Sequence, residues 1–273
     1  MNTRPLSRKQ FVKGFFYLSA IPFTMSSCSK LFAGSKSSLL HDSPDQEISD
    51  REKIDEMLKN KKDPLVWVFT GDSITHGAKH THGCRSYPEI FAERIRWELG
   101  RTRDIIINTG ISGNTTQVIL NDFGWRIGQF EPNVVSLMIG TNDCATGRIE
   151  IEAFEENLGA LANKIRDIGA IPVFHTPNII ITDKAPERAR LSDYVSVIRN
   201  VSLEEKIILV DNYSHWSDVL QNGKLNVYKE WLNDPLHPDG EGHSEIARLM
   251  FNELGIFDPA ASTCGGPYYE GEH

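Results

Sequence analysis

Five short apolar runs, at positions 65–69, 104–108, 134–139, 171–175 and 207–210, punctuate the chain. Between them the apolar positions change period. Phe154, Leu158, Leu161, Ile165 and Ile168 follow one another at intervals of four, three, four and three, which sets all five on one side of a helix. A last helix is expected from the Asp239-Gly240 turn, directing Ile246, Leu249, Met250 and Leu254 at a core. Strands of near-continuous apolar character, alternating with one-sided helices, predict a parallel sheet covered on both faces. This α/β unit is expected over residues 63–257, long enough to bury a single core. In such sheets ligands sit beyond the carboxyl ends of the strands.

The flanks have another character. Residues 29–62 are rich in Ser, Lys, Asp and Glu and read as a tether carrying one short helix near 48–59, while residues 258–273 read as a loose tail. At the N-terminus, Arg4, Arg8, Lys9 and Lys13 precede the apolar stretch FFYLSAIPFTM, which ends at Ser26-Ser27-Cys28. Charged, apolar and small residues in that order form an export signal, expected over residues 1–28, and the apolar part is too short to span a bilayer. Met25-Ser26-Ser27-Cys28 resembles a bacterial lipobox. That resemblance implies lipid attachment at Cys28 and an exported protein anchored to a membrane only by that lipid, facing the periplasm or the cell exterior. The stretch SRKQFVK is similar to a twin-arginine motif with Lys9 in the second position, so two export routes stay open.

Composition narrows the chemistry. The 273 residues carry a formal net charge of −8 with no stripe of Lys and Arg, which argues against nucleic acid as a partner. Cys28, Cys84, Cys144 and Cys264 fit no zinc-ribbon or zinc-finger spacing. A Cys84–Cys144 disulfide after export and free thiols are both open. Phosphate-loop, dinucleotide and zincin motifs are absent. The G-x-S-x-G elbow is absent too, because Thr75 stands where its second glycine belongs. No cofactor is expected.

Four segments at strand ends or before the last helix each supply one part of an acyl-transfer site. Ser73, in GDSITHG after the first run, is an exposed hydroxyl that a nearby base could activate. Gly113, in NTGISGNTT, can bring a bare backbone N–H close to a ligand. Asn142, in IGTND, offers a side-chain amide to a developing oxyanion. Asp234 and His237, in DPLHPDGEGH, put a histidine and a carboxylate able to orient its ring on one short loop. These four segments, in this order, resemble the sequence blocks of the GDSL/SGNH hydrolase superfamily. The resemblance covers residues 65–250 and implies a flavodoxin-like three-layer α/β/α sandwich with a parallel central sheet. It further implies Ser73 as nucleophile, His237 as general base, Asp234 as its orienting acid, and Ser73, Gly113 and Asn142 as oxyanion donors. It implies no catalytic metal.

The chain therefore reads as a serine esterase that removes small acyl groups, with acetylated carbohydrate as the expected substrate class. A lipase or lysophospholipase, a thioesterase, an O-acyltransferase and a non-catalytic glycan-binding module are the alternatives. His76, His80, His82 and Cys84 crowd into nine residues and could hold a transition metal, but a polar loop at the rim of the cleft is the expected reading. Trp125, Trp216, Tyr228 and Trp231 fall outside the strand pattern, and Trp125 and Trp231 are candidate platforms for a sugar ring.

Overall fold

Strands β1 (Val66–Gly71), β2 (Ile105–Asn108), β3 (Val134–Met138), β4 (Ile171–Thr176) and β5 (Ile208–Asp211) form where the apolar runs predict them. Helices α1 (Asp50–Lys59), α2 (Ser73–His76), α3 (Tyr87–Glu93), α4 (Thr116–Asn121), α5 (Phe123–Arg126), α6 (Ile151–Asp167), α7 (Leu191–Glu204), α8 (Asn212–Gln221), α9 (Val227–Glu230) and α10 (Gly240–Glu253) lie between and around them. The computed structural model describes residues 48–223 and 225–268, so the export signal, Cys28 and the first part of the expected tether lie outside the described residues.

All five strands are parallel, in the order β2-β1-β3-β4-β5. Alternate residues of each strand serve opposite faces. On one face, Phe154, Leu158 and Leu161 of α6 and Val195 and Ile198 of α7 cover Val68, Val135 and Phe174. On the other, Tyr87 and Phe91 of α3 and Ile246 and Met250 of α10 cover Trp67, Phe69, Met138 and Val210. The Phe91 ring lies 5.0 Å from both Trp67 and Phe69. The expected three-layer sandwich is the fold observed. Of the five aligned positions, the four on α6 are buried, and Ile168, just past the end of the helix at Asp167, is exposed.

The chain order reverses between β1 and β3, the place where an open parallel sheet leaves a crevice at its carboxyl edge. Gly71 lets the two strands close there. A side chain on it would put Cβ 2.2 Å from the Met138 carbonyl oxygen and 2.5 Å from Thr75 Oγ1.

Residues on both sides of the expected 63–257 also pack. Helix α1, assigned to the tether by its composition, buries Ile54 and Leu58 in the core. Its anchor is remote in sequence. Buried Arg101 donates to the carbonyls of Leu58, Asn60 and Asp63 and clasps Asp104 through Nε and Nη2 at 2.8 and 3.0 Å. The expected tail is also fastened: Thr263 N–H donates to Glu98 at 3.0 Å, and Cys264 is buried. Among the described residues, no helix is long and apolar enough to cross a membrane.

Candidate active site

Ser73 is the first residue of α2, immediately after β1. The turn is held by Asp72, whose side chain caps the helix by accepting the Ile74 N–H at 2.9 Å. From the far side comes the segment between α9 and α10. Its path is fixed by backbone bonds from Asn233 N–H to the His237 carbonyl, from Asp239 N–H to the Trp231 carbonyl, and from Ile181 N–H to the Pro235 carbonyl, each 2.9 Å. These tie the loop to itself and to the chain after β4.

The result joins residues 164 positions apart. Ser73 Oγ lies 2.8 Å from His237 Nε2, and His237 Nδ1 lies 2.7 and 2.9 Å from the two oxygens of Asp234. A carboxylate only accepts, so the ring proton sits on Nδ1 and Nε2 is left to accept from the Ser73 hydroxyl. Asp234 Oδ1 also accepts the N–H groups of Leu236 and His237 at 2.8 and 2.9 Å. Burial pushes the Asp234 carboxyl up, but those N–H bonds and the His237 ring outweigh it and hold it below the usual carboxylate range.

Ser73, Gly113, Asn142 and His237 line one cleft of about 190 Å³, together with Ile74, His80, Ser112, Thr141, Arg188 and Leu236. Gly113 sits at φ 83°, a left-handed conformation that suits glycine, and a Cβ there would meet nothing within 4 Å. Its glycine thus answers a backbone requirement rather than crowding. The Asn142 amide donates to the Asn114 carbonyl at 3.1 Å and to Asp72 Oδ2 at 3.3 Å. Its carbonyl oxygen accepts from Arg188 Nη2 at 3.3 Å, while Arg188 Nε donates to the Thr141 carbonyl at 2.9 Å. Arg188 thereby fixes the orientation of the Asn142 side chain, with its amide turned toward Asp72 and Asn114.

The sequence singled out neither Asp72, Arg188 nor the particular place of His80. Arg188 comes from the segment between β4 and α7, with Lys184 and Arg190 nearby, and no motif in the sequence marked it. His80 stacks on the His237 ring, with centroids 3.7 Å apart. Two sugar-platform candidates fall elsewhere. Trp231 is buried against Trp216, rings 5.0 Å apart, because the chain turns it inward before the Asp234 loop begins. Trp125 is exposed on α5 and is not among the residues lining the cleft. The cysteine alternative resolves as free thiols at Cys84, Cys144 and Cys264. Burial pushes the Cys144 thiol up to about 12.

Buried titratable groups around the site make the fold sensitive to acid. Burial lowers His175 and His243 to about 3, from an ordinary value near 6.5, so the folded chain keeps them neutral where the unfolded chain protonates them. Their contribution is whole above pH ~6.5 and is lost as pH falls toward 3. Asp72 opposes them. Burial and the nearby Asp143 raise it to about 7, so between pH ~4 and 7 the folded state holds a proton that the unfolded state releases. Asp143, raised by burial, works in the same direction as Asp72, so the two aspartates offset part of what the histidines lose. Going from pH 7 to 4.5 should lower the urea midpoint, by less than the two histidines alone would bring about. Asp72→Asn should steepen that loss; a midpoint that stays level or rises would contradict this assignment.

Residues 69–244 match the family model described as the GDSL-like Lipase/Acylhydrolase family. An acetylxylan esterase of Geobacillus stearothermophilus is 25% identical over 208 residues, covering 69% of this chain and 93% of that enzyme. An uncharacterized lipoprotein of Bacillus subtilis, YqeF, is 28% identical over 174 residues, covering 55% of this chain and 71% of its own. An uncharacterized Mycoplasma pneumoniae protein is 36% identical over 109 residues, and the match spans only 12% of that protein. Among solved structures, an α/β hydrolase from the metagenome of Lake Arreo in Spain (LAE5) has a TM-score of 0.61 at 24% identity, covering 70% of this chain and 95% of its own. The acetylxylan esterase Axe2 of G. stearothermophilus has a TM-score of 0.60 at 23% identity, covering 70% and 94%.

Proposed function

Because this chain belongs to the GDSL-like lipase/acylhydrolase family and is a carboxylic ester hydrolase, we propose that Ser73, His237 and Asp234 are its catalytic residues and that it deacetylates carbohydrates. The observation that carries the catalytic reading is the unbroken line from Ser73 Oγ through both ring nitrogens of His237 to Asp234, with contacts of 2.8 and 2.7 Å. His237 Nε2 takes the serine proton as Oγ attacks the ester carbonyl. The oxygen that becomes negative meets the N–H groups of Ser73 and Gly113 and the Asn142 amide. Of that amide's two contacts, the one to Asp72 is long at 3.3 Å and can be exchanged for the charged oxygen while the one to Asn114 is kept. The imidazolium, stabilised by Asp234, then gives its proton to the departing alcohol. Water, activated by the same nitrogen, releases the acid from the acyl-enzyme.

Two features support a small acyl group on a sugar. The cleft, about 190 Å³, is below the size usual for sites that enclose a drug-sized ligand. The acetylxylan esterase is matched over nearly its whole length, so the likeness is not confined to the motifs. The lipoprotein relative, together with the lipobox-like Met25-Ser26-Ser27-Cys28, supports an exported chain anchored through Cys28.

The test is a comparison of kcat/KM for p-nitrophenyl acetate, octanoate and dodecanoate, beside acetate release from acetylated xylo-oligosaccharides. The acetyl ester should be favoured by about 10²-fold or more over the long chains, and acetate should be released from the oligosaccharide. A preference for dodecanoate would replace the carbohydrate reading with a lipase.

A further inference from the structure

The geometry points to a second use of the Asp234–His237 couple: together with His80 it forms an inhibitory site for a divalent transition metal of the zinc type. This inference rests on the catalytic reading for its inhibitory effect, though not for binding. His80, Asp234 and His237 each offer one ligand atom, all within 4.8 Å of one another. His80 Nδ1 is 4.0 Å from Asp234 Oδ2, the oxygen that His237 Nδ1 approaches to 2.7 Å. Two imidazoles and a carboxylate are the donors zinc takes when three protein ligands leave a fourth position to water. Bonds of 2.0–2.2 Å at tetrahedral angles separate donors by about 3.3 Å, so closure needs displacements of about an ångström.

The chain holds His80 near the couple. Asn233, next to Asp234, donates its side-chain amide to the His80 carbonyl, and the two rings lie at 14° to one another. His80 itself sits on a short 3₁₀ turn, Ala78–Thr81, and its ring must tilt out of the stack to share the ion.

Metal binding here would silence the base for a reason of proton position. The ion takes the Nδ1 lone pair of His237, and the single proton of the neutral ring leaves Nδ1 and, by exchange through solvent, is held on Nε2, so none is lost overall. Nε2 then donates to Ser73 Oγ and accepts nothing. The serine proton has nowhere to go.

The experiment uses the full chain, with Zn²⁺ as the probe, at pH 7.5. Binding is measured by calorimetry and, separately, ester hydrolysis is titrated with the same ion. The wild type should bind one ion, and inhibition should follow the binding curve. His80→Ala should weaken both the dissociation constant and the half-inhibitory concentration by about tenfold or more, whatever its basal rate. His80→Gln serves if the alanine variant fails to fold. His82→Ala, a control in the same loop, should leave binding unchanged. No stoichiometric binding, or equal binding in both His80 variants, would overturn the site. Binding that depends on His80 yet leaves hydrolysis untouched would uphold the site and count instead against His237 as the base.

Discussion

Ser73→Ala should lower kcat/KM for an acetyl ester by about 10⁴-fold or more while leaving the folded structure in place. The change removes one oxygen. It takes away the nucleophile and the hydrogen bond to His237 Nε2, and touches neither the Asp72 cap of α2 nor the β1–β3 closure at Gly71. Circular dichroism and the thermal midpoint should therefore stay close to wild type while turnover collapses. Residues that act as a unit do not add. His237→Ala should fall about as far as Ser73→Ala, and the double variant no further than either. Steady-state kinetics on the three proteins check this, and an additive double loss would mean that the two residues serve separate steps.

Asp234→Asn should cost about 10²–10⁴ in kcat, with KM little changed. The reason is specific to this loop. Asp234 Oδ1 receives the N–H groups of Leu236 and His237 as well as facing the ring. An asparagine keeps those backbone bonds only by turning its carbonyl toward them, which presents its NH₂ to His237 Nδ1. Nδ1 must then accept, the ring proton moves to Nε2, and the base is in the wrong tautomer to take the Ser73 proton. The lower end of the range reflects the partial exposure of Asp234, which lets water share in stabilising the imidazolium. A loss confined to KM, with kcat intact, would instead make Asp234 a substrate contact.

The sheet was legible because its central strands are buried on both faces and so are mostly apolar; Val134–Met138 is buried at every position, whereas the edge strand Ile105–Asn108 is partly exposed. The residues proposed to react were legible for a related reason. Ser73, Gly113 and Asn142 follow strands that end abruptly in polar residues, and Asp234 and His237 are close enough in sequence to share a loop. What the sequence hid are partners made by tertiary distance. Helix α1 looks like a tether because its charged composition says nothing of Arg101, which gathers its last carbonyls from some 40 residues away. Trp231 stands three residues before Asp234, yet the chain turns between them, and its ring packs on Trp216 instead of opening to the cleft. Arg188 and His80 reach the site from loops whose course no periodicity predicts. His80 stood out only as one of several histidines in its loop, and the structure selects it alone to stack on His237.

The central claim is that Ser73 Oγ forms a covalent bond to the acyl group. The direct measurement is reaction of the full chain with a fluorophosphonate, followed by intact mass and peptide mapping. The account predicts a single adduct on Ser73, formed in step with loss of esterase activity, and slowed greatly in His237→Ala, where no base takes the serine proton. An adduct on another residue, or full esterase activity in a protein that carries no adduct, would contradict it.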